Sequence, residues 1–414
     1  MNRRDFISHA GGFAALSSSS LLFQNSILAN ANKLKKENKS TILLWMSGGP
    51  STIDIWDLKP DSASAGAFKP INTNVDGIQI CEHLPLLSKM MDNLSIIRSM
   101  STREADHGRG RYYMHTGYVP NPNIEHPSYG SVISHELLKN TISQIGIPPF
   151  ISIGGTSIGP GFLGATYAPL VVDYNGTIRN IQSSIDRQIL QNRLDFLAVI
   201  ENKFIQEKRG EVADSHAKML NKTVDLMFGP HTEVFKISKE PQNIRERYGN
   251  TSFGKGCLMA RRLVEIGVPF IEVEFGGWDN HMDIFTALPD KLSQMDVGMS
   301  ALIEDLMDRG LYESTNIIWM GEFGRTPDIN KNAGRDHWAR SWSAVVGGGK
   351  LNKGIVVGET SEDGKKVISE AYSSEDLMAT VLKSLDISLE TTFTSKNGRP
   401  MKIANSGKII KELI

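Results

Sequence analysis

Short apolar runs that stop at a glycine recur along this chain, with longer stretches of helical spacing between them. Residues 41–46, 94–98, 150–153, 268–275, 317–320 and 341–346 have the length and apolar content of buried strands. Residues 126–139, 253–266, 292–307 and 376–385 place apolar side chains three and four apart, which predicts helices. The charged stretch 178–228 also reads as helical, a cap or insertion whose Ile185, Ile189, Leu194, Leu197 and Ile200 are expected to face a core. Strands alternating with helices predict an α/β fold with a doubly wound, largely parallel sheet sandwiched between helices. The C-terminal ends of several strands then converge on one rim, and chemistry is expected in the loops that leave it.

Those loops carry the polar residues. The run 317–320 stops at Glu322, flanked by glycines and followed by Arg325, and Arg335, Asp336 and His337 come on the adjoining loop. The first strand empties into Ser47-Gly-Gly-Pro-Ser-Thr-Ile-Asp54, where Asp54 or Asp57 can turn a carboxylate back toward the rim. The second leads to Asp106-His-Gly-Arg-Gly-Arg111 and His115, a set too polar to bury in an inert core. The strand 268–275 runs into Gly276-Gly-Trp-Asp-Asn-His281, and Asp279 and His281 two residues apart can reach one ion. Carboxylates and imidazoles beside Arg109, Arg111, Arg325 and Arg335 predict a metal-assisted site for an anionic group. The Gly-rich run 154–164 reads as a substrate-side loop. Without a dinucleotide or Walker pattern in the chain, no nucleotide is assigned.

Charge narrows the partners. With 45 Lys+Arg against 46 Asp+Glu among 414 residues, no electrostatic footprint for nucleic acid is present. Asn2-Arg-Arg-Asp-Phe-Ile7, a modest apolar stretch and Ala29-Asn-Ala31 form a twin-arginine signal over residues 1–31, so the twin-arginine export machinery is an expected partner and the protein is expected in the periplasm or secreted. A Lys-rich linker over 32–40 precedes one domain, 41–414, in which no membrane span is expected. Cys81 and Cys257 are too few and too distant for a Cys-based metal site; a disulfide and two separate thiols both fit.

The motif set Gly48-Gly-Pro-Ser-Thr-Ile-Asp54, His107-Gly-Arg-Gly-Arg111 with His115-Thr-Gly117, Gly276-Gly-Trp-Asp-Asn-His281, Gly321-Glu-Phe-Gly-Arg-Thr-Pro327 and Gly334-Arg-Asp-His-Trp338 resembles the bacterial domain of unknown function 1501 family. That family is a branch of the alkaline phosphatase-like superfamily, which includes sulfatases, and the resemblance implies its sheet sandwiched between helices. Aligned on Arg111 and Thr116-Gly117, His107 stands where sulfatases carry their Cys or Ser nucleophile. Glu322 and Phe323 stand at the aspartate and histidine of the superfamily's Ser-Asp-His-Gly metal loop, and Ser47-Gly48 replaces the carboxylate pair that ends the first strand.

Together these readings predict an exported metal-dependent hydrolase of phosphate or sulfate esters, its substrate a small molecule or a glycan ester. Asp54, Asp279, His281, Glu322, Asp336 and His337 are the expected ligands of one or two divalent ions, zinc, manganese or calcium. Arg111 is expected to clamp the anion, with Arg109, Arg325 and Arg335 beside it. The nucleophile is expected to be water acidified by the ion, or His107 acting covalently; His107 serves equally as a further ligand. The alternative is a non-catalytic exported protein that uses the same fold to bind an anionic glycan or a protein partner.

Overall fold

The computed structural model describes residues 39–138, 146–179, 181, 185–204, 220, 224, 226–228 and 230–414. The expected export signal and most of the linker lie outside them, as does part of the stretch 178–228.

In chain order the main elements are β1 (Ser40–Trp45), β2 (Leu94–Met100), α1 (His107–Thr116), α2 (Tyr129–Leu138), β3 (Phe150–Ile153), β4 (Leu170–Val172), α3 (Arg187–Phe204), α4 (Ser252–Glu265), β5 (Phe270–Glu274), α5 (Ile284–Asp308), β6 (Thr315–Met320), β7 (Trp342–Gly348), β8 (Val356–Val357) and α6 (Ser374–Ser384). The eight strands form one sheet in the order β8-β2-β7-β6-β1-β5-β3-β4. All neighbours pair in parallel except β7, which runs antiparallel to both β2 and β6. The sheet is therefore mostly parallel, with helices on both faces, as the alternating pattern predicts.

Alternation along each strand assigns side chains to the two faces. In β1, Ile42 and Leu44 enter one hydrophobic core, and Leu43 and Trp45 enter the other. In β6, Ile317 and Trp319 lie on the first face and Ile318 and Met320 on the second. Helices α4 and α5 cover the first face, contributing Phe253, Leu258, Leu263, Leu292, Met299 and Leu306. The second face is closed by α1, α2 and α6 through Met114, Val132, Ile133, Leu377 and Leu382. Burying apolar surface on both faces at roughly 25 cal/mol per Å² makes the sheet a rigid frame for the loops at its rim.

Two expectations are corrected. Helix α5 begins eight residues earlier than Leu292, at Ile284, and carries Pro289 inside it. In α3, Ile189 is 49% exposed and Ile200 62%, so these two do not face a core, and Phe196 and Val199 are also exposed. Among the described residues no helix is long and apolar enough to cross a membrane. Cys81 and Cys257 are separate buried thiols, and burial pushes the Cys81 thiol up to about 12.

Candidate metal centre at the strand rim

Strands β1, β5 and β6 end level with one another, because Trp45 pairs with both Glu274 and Met320. Their exit loops, Ser47–Gly49, Gly276–His281 and Gly321–Phe323, therefore leave from one place. Gly48 has φ +115°, and a Cβ there would stand 2.6 Å from the backbone nitrogen of Asp279, so only glycine lets the first two loops approach this closely. The loop after β2 brings in Asp106, whose side chain accepts from the Arg109 amide at 3.0 Å and caps α1. His107 is thereby fixed at the first position of that helix, with Arg111 and His115 at four-residue spacing on the same face. Gly324–Arg325 pairs antiparallel with His337–Trp338, and this ribbon folds His337 back over the rim.

Three imidazoles converge there, each held from behind. His107 Nδ1 lies 2.6 Å from Glu322 Oε1, His281 Nδ1 lies 2.7 Å from Asp336 Oδ1, and His337 Nδ1 lies 2.7 Å from the Ala105 carbonyl oxygen. A carbonyl and two carboxylates only accept, so each Nδ1 carries the proton, and in a neutral ring Nε2 presents its lone pair. The three Nε2 atoms face Asp279: that of His107 is 3.3 Å from Oδ2, and those of His281 and His337 are 2.9 and 3.2 Å from Oδ1. The Nε2 atoms of His281 and His337 are 3.1 Å apart. Among the described residues, His107, Asp279 and His337 offer ligand atoms that all lie within 4.8 Å of one another.

This donor set fits a metal ion. Among the described residues, His107 Nε2 and Glu322 Oε2 are enclosed and find no hydrogen-bond partner, an expensive arrangement unless a cation completes it. Glu322 is buried, and its Oε1 also accepts from the Gly48 amide at 2.9 Å. The hydrogen bond to Glu322 raises the His107 pKa above its ordinary value. For Asp279 burial opposes ionisation, but the hydrogen bond and charge of Arg325, with His337 and His107 close by, hold the carboxyl down at about 2. Phe323 is buried beneath the cluster, its ring 5.1 Å from that of His107 and 4.7 Å from that of His337. An open cleft of about 320 Å³ adjoins the cluster, lined by Ser47, Gly48, His107, Gly108, Arg111, Asp279 and Glu322.

Several expected site residues are placed otherwise. Asp54 and Arg335 form a fully buried bidentate pair, both contacts 2.8 Å, and do not join the cluster. Arg335 also donates to the Ser64, Thr326 and Pro327 carbonyls, so its donors are taken. Arg109 turns away to Glu104, with contacts of 2.6 and 2.9 Å. Arg325 is at the cluster but buried: it donates to Asp279 at 2.6 Å and to the Gly48 and Gly49 carbonyls, an internal strut and not an open anion clamp. Asp336 stands behind His281, where it also accepts from Asn330 Nδ2 at 3.2 Å.

Sequence reasoning missed Glu272 and Glu274. Both point from β5 toward Arg111, with contacts of 3.4 and 3.0 Å. Glu272 is fully buried and bonded to His115 and Ser157. Two acids inside an otherwise apolar strand were the available signal, since a buried charge requires a partner.

The model of the family described as "Protein of unknown function (DUF1501)" matches residues 38–414. No curated protein matches the chain by sequence. Among solved structures the chain is similar to the PsFucS1 sulfatase from Pseudoalteromonas sp., at 13% identity and a TM-score of 0.40 over 87% of this chain and 71% of that one. It is similar to the alkaline phosphatase of the Antarctic bacterium TAB5, at 13% identity and a TM-score of 0.38 over 84% and 98%. A protein in the alkaline phosphatase superfamily from Vibrio parahaemolyticus matches at 12% identity and a TM-score of 0.38 over 90% and 70%.

Proposed function

Because the chain belongs to the DUF1501 family, whose description assigns no activity, we propose from the site itself that it is an exported metal-dependent hydrolase of phosphate or sulfate esters. The observation that carries this reading is the 3.1 Å approach of two Nε2 atoms whose rings are both protonated at Nδ1. Two lone pairs aimed at each other repel, and a cation shared with Asp279 and His107 removes the repulsion. His107, Asp279, His281 and His337 would hold the ion, and three nitrogens with one carboxylate oxygen favour zinc or a similar transition metal over calcium. An ion held there supplies Lewis-acid polarisation of an ester oxygen and acidifies water at neutral pH.

The chain's own groups do the rest. Glu322, Asp336 and the Ala105 carbonyl hold protons on Nδ1, which fixes the tautomers and raises the basicity of each Nε2. We read His107 as a ligand and not as a nucleophile, because its Nε2 faces Asp279 together with the other two imidazoles. The adjoining cleft admits the ester, and Arg111 at its wall orients one of its oxygens. The pattern of residues 1–31 supports twin-arginine export to the periplasm or beyond. The test is hydrolysis of aryl phosphate and aryl sulfate esters by protein loaded in turn with zinc, manganese and calcium. Turnover with zinc that vanishes in His281→Ala supports the reading; silence with every metal and both esters contradicts it.

A further inference from the structure

The charges around the cleft are paired in a way that narrows the substrate. Among the described residues Arg111 is the one guanidinium in the lining, and it donates to Glu274 at 3.0 Å and to the Thr156 carbonyl at 2.5 Å, with Glu272 at 3.4 Å. Arg325 is buried against Asp279. Glu322 is buried against His107. Five carboxylates, Glu272, Glu274, Asp279, Glu322 and Asp336, thus stand against two guanidinium groups, and one divalent ion at the cluster leaves no positive excess. Among the described residues of the lining, no cation is left over to neutralise a second charge on the ester. An alkyl phosphate monoester carries nearly two negative charges above pH 7, because its second pKa is about 6. A sulfate monoester and a phosphate diester each carry one.

We infer that the loaded site selects esters with a single negative charge at the reacting group, sulfate monoesters or phosphate diesters, over dianionic phosphate monoesters. The inference rests on the proposed metal centre and deepens it. Glu274 sets the preference: it lies on the Arg111 side of the cleft, contacts no proposed metal ligand, and cancels the charge that a dianion needs. Removing that carboxylate frees Arg111 for a second anionic oxygen.

The experiment uses the full chain loaded with cobalt(II), whose visible absorption reports ligand entry without turnover. At pH 8 it is titrated with phenylphosphonate, a dianion, with its methyl ester, a monoanion larger by one methyl group, and with benzenesulfonate, a monoanion of nearly the same shape as phenylphosphonate. In the wild type the two monoanions bind at least as tightly as the dianion, and their relative affinities separate diester from sulfate recognition. In Glu274→Gln the ratio moves toward the dianion by roughly tenfold, the effect of one charge removed at close range. A dianion that binds tenfold more tightly in the wild type, a ratio unchanged in Glu274→Gln, or a spectrum that no anion perturbs overturns the inference. Failure to bind cobalt contradicts the metal centre itself, so the two failures are distinguishable.

Discussion

His281 and His337 bring their Nε2 atoms to 3.1 Å of each other while Asp336 and the Ala105 carbonyl occupy the opposite nitrogens. The two histidines are 56 residues apart, on a strand exit and on a ribbon, and neither motif alone specifies a binding site. Their meeting turns scattered polar residues into one donor set.

If Asp336 acts by orienting His281, then Asp336→Ala weakens metal binding roughly 10 to 100-fold. Asp336 is exposed, so thermal stability of the metal-free protein changes little. Competition with a fluorescent chelator measures the affinity. Unchanged affinity removes Asp336 from the account.

The Asp54–Arg335 pair is expected to act on stability. Asp54→Ala leaves a guanidinium buried without its counter-charge, at a cost of about 3–5 kcal/mol. Denaturant unfolding checks this, and a loss below about 1 kcal/mol contradicts the assignment. Because the Arg335 carbonyl accepts from Arg325 and its amide donates to the Asn280 carbonyl, metal affinity should fall as well.

Gly48→Ala combines a positive φ with a clash against the Trp278 and Asp279 backbone. It is expected to destabilise by about 1–3 kcal/mol and to displace the Asp279 loop, so metal content drops even where the protein folds. A fully loaded, stable variant would show that the two loops are not held together here.

Buried Arg261, on α4, pairs with Asp305, on α5, at 2.9 Å, and this contact tests pH dependence away from the rim. Burial raises the Asp305 pKa, but Arg309, Arg261 and Tyr248 outweigh it and hold the carboxyl below its ordinary 3.8. A depressed folded pKa means its stabilisation is complete above 3.8 and is lost as pH falls from there through the folded value. Asp305→Asn should lower stability at neutral pH and flatten the stability profile below pH 3.8. Urea midpoints across that range measure both, and a parallel offset with no flattening contradicts the linkage.

Much of the frame was legible because strands that are buried on both faces read as continuous apolar runs: 150–153 is a strand as predicted, and 317–320 lies inside β6. Strand direction was not legible, since an antiparallel β7 has the same apolar content as its parallel neighbours. The start of α5 was hidden by Pro289 and the polar residues around it, and tertiary packing of Ile284 and Leu288 overrides them. At the site, Asp279, His281 and Glu322 were visible as polar residues just past strand ends, and Asp336 and His337 as polar residues on the adjoining loop. Which of them touch the cluster and which stand behind a histidine depends on side-chain direction, which spacing does not encode. The Asp54–Arg335 partnership, spanning 281 residues, was invisible for the same reason, and both residues were read as site residues.

The most direct test of the central claim is the elemental metal content of the protein purified without chelator, beside a His281→Ala, His337→Ala double variant. About one equivalent of a divalent transition metal is expected in the wild type, as in other sites of this donor type, with its loss in a folded variant. Wild-type protein that stays free of metal after incubation with zinc, manganese and cobalt would contradict the claim.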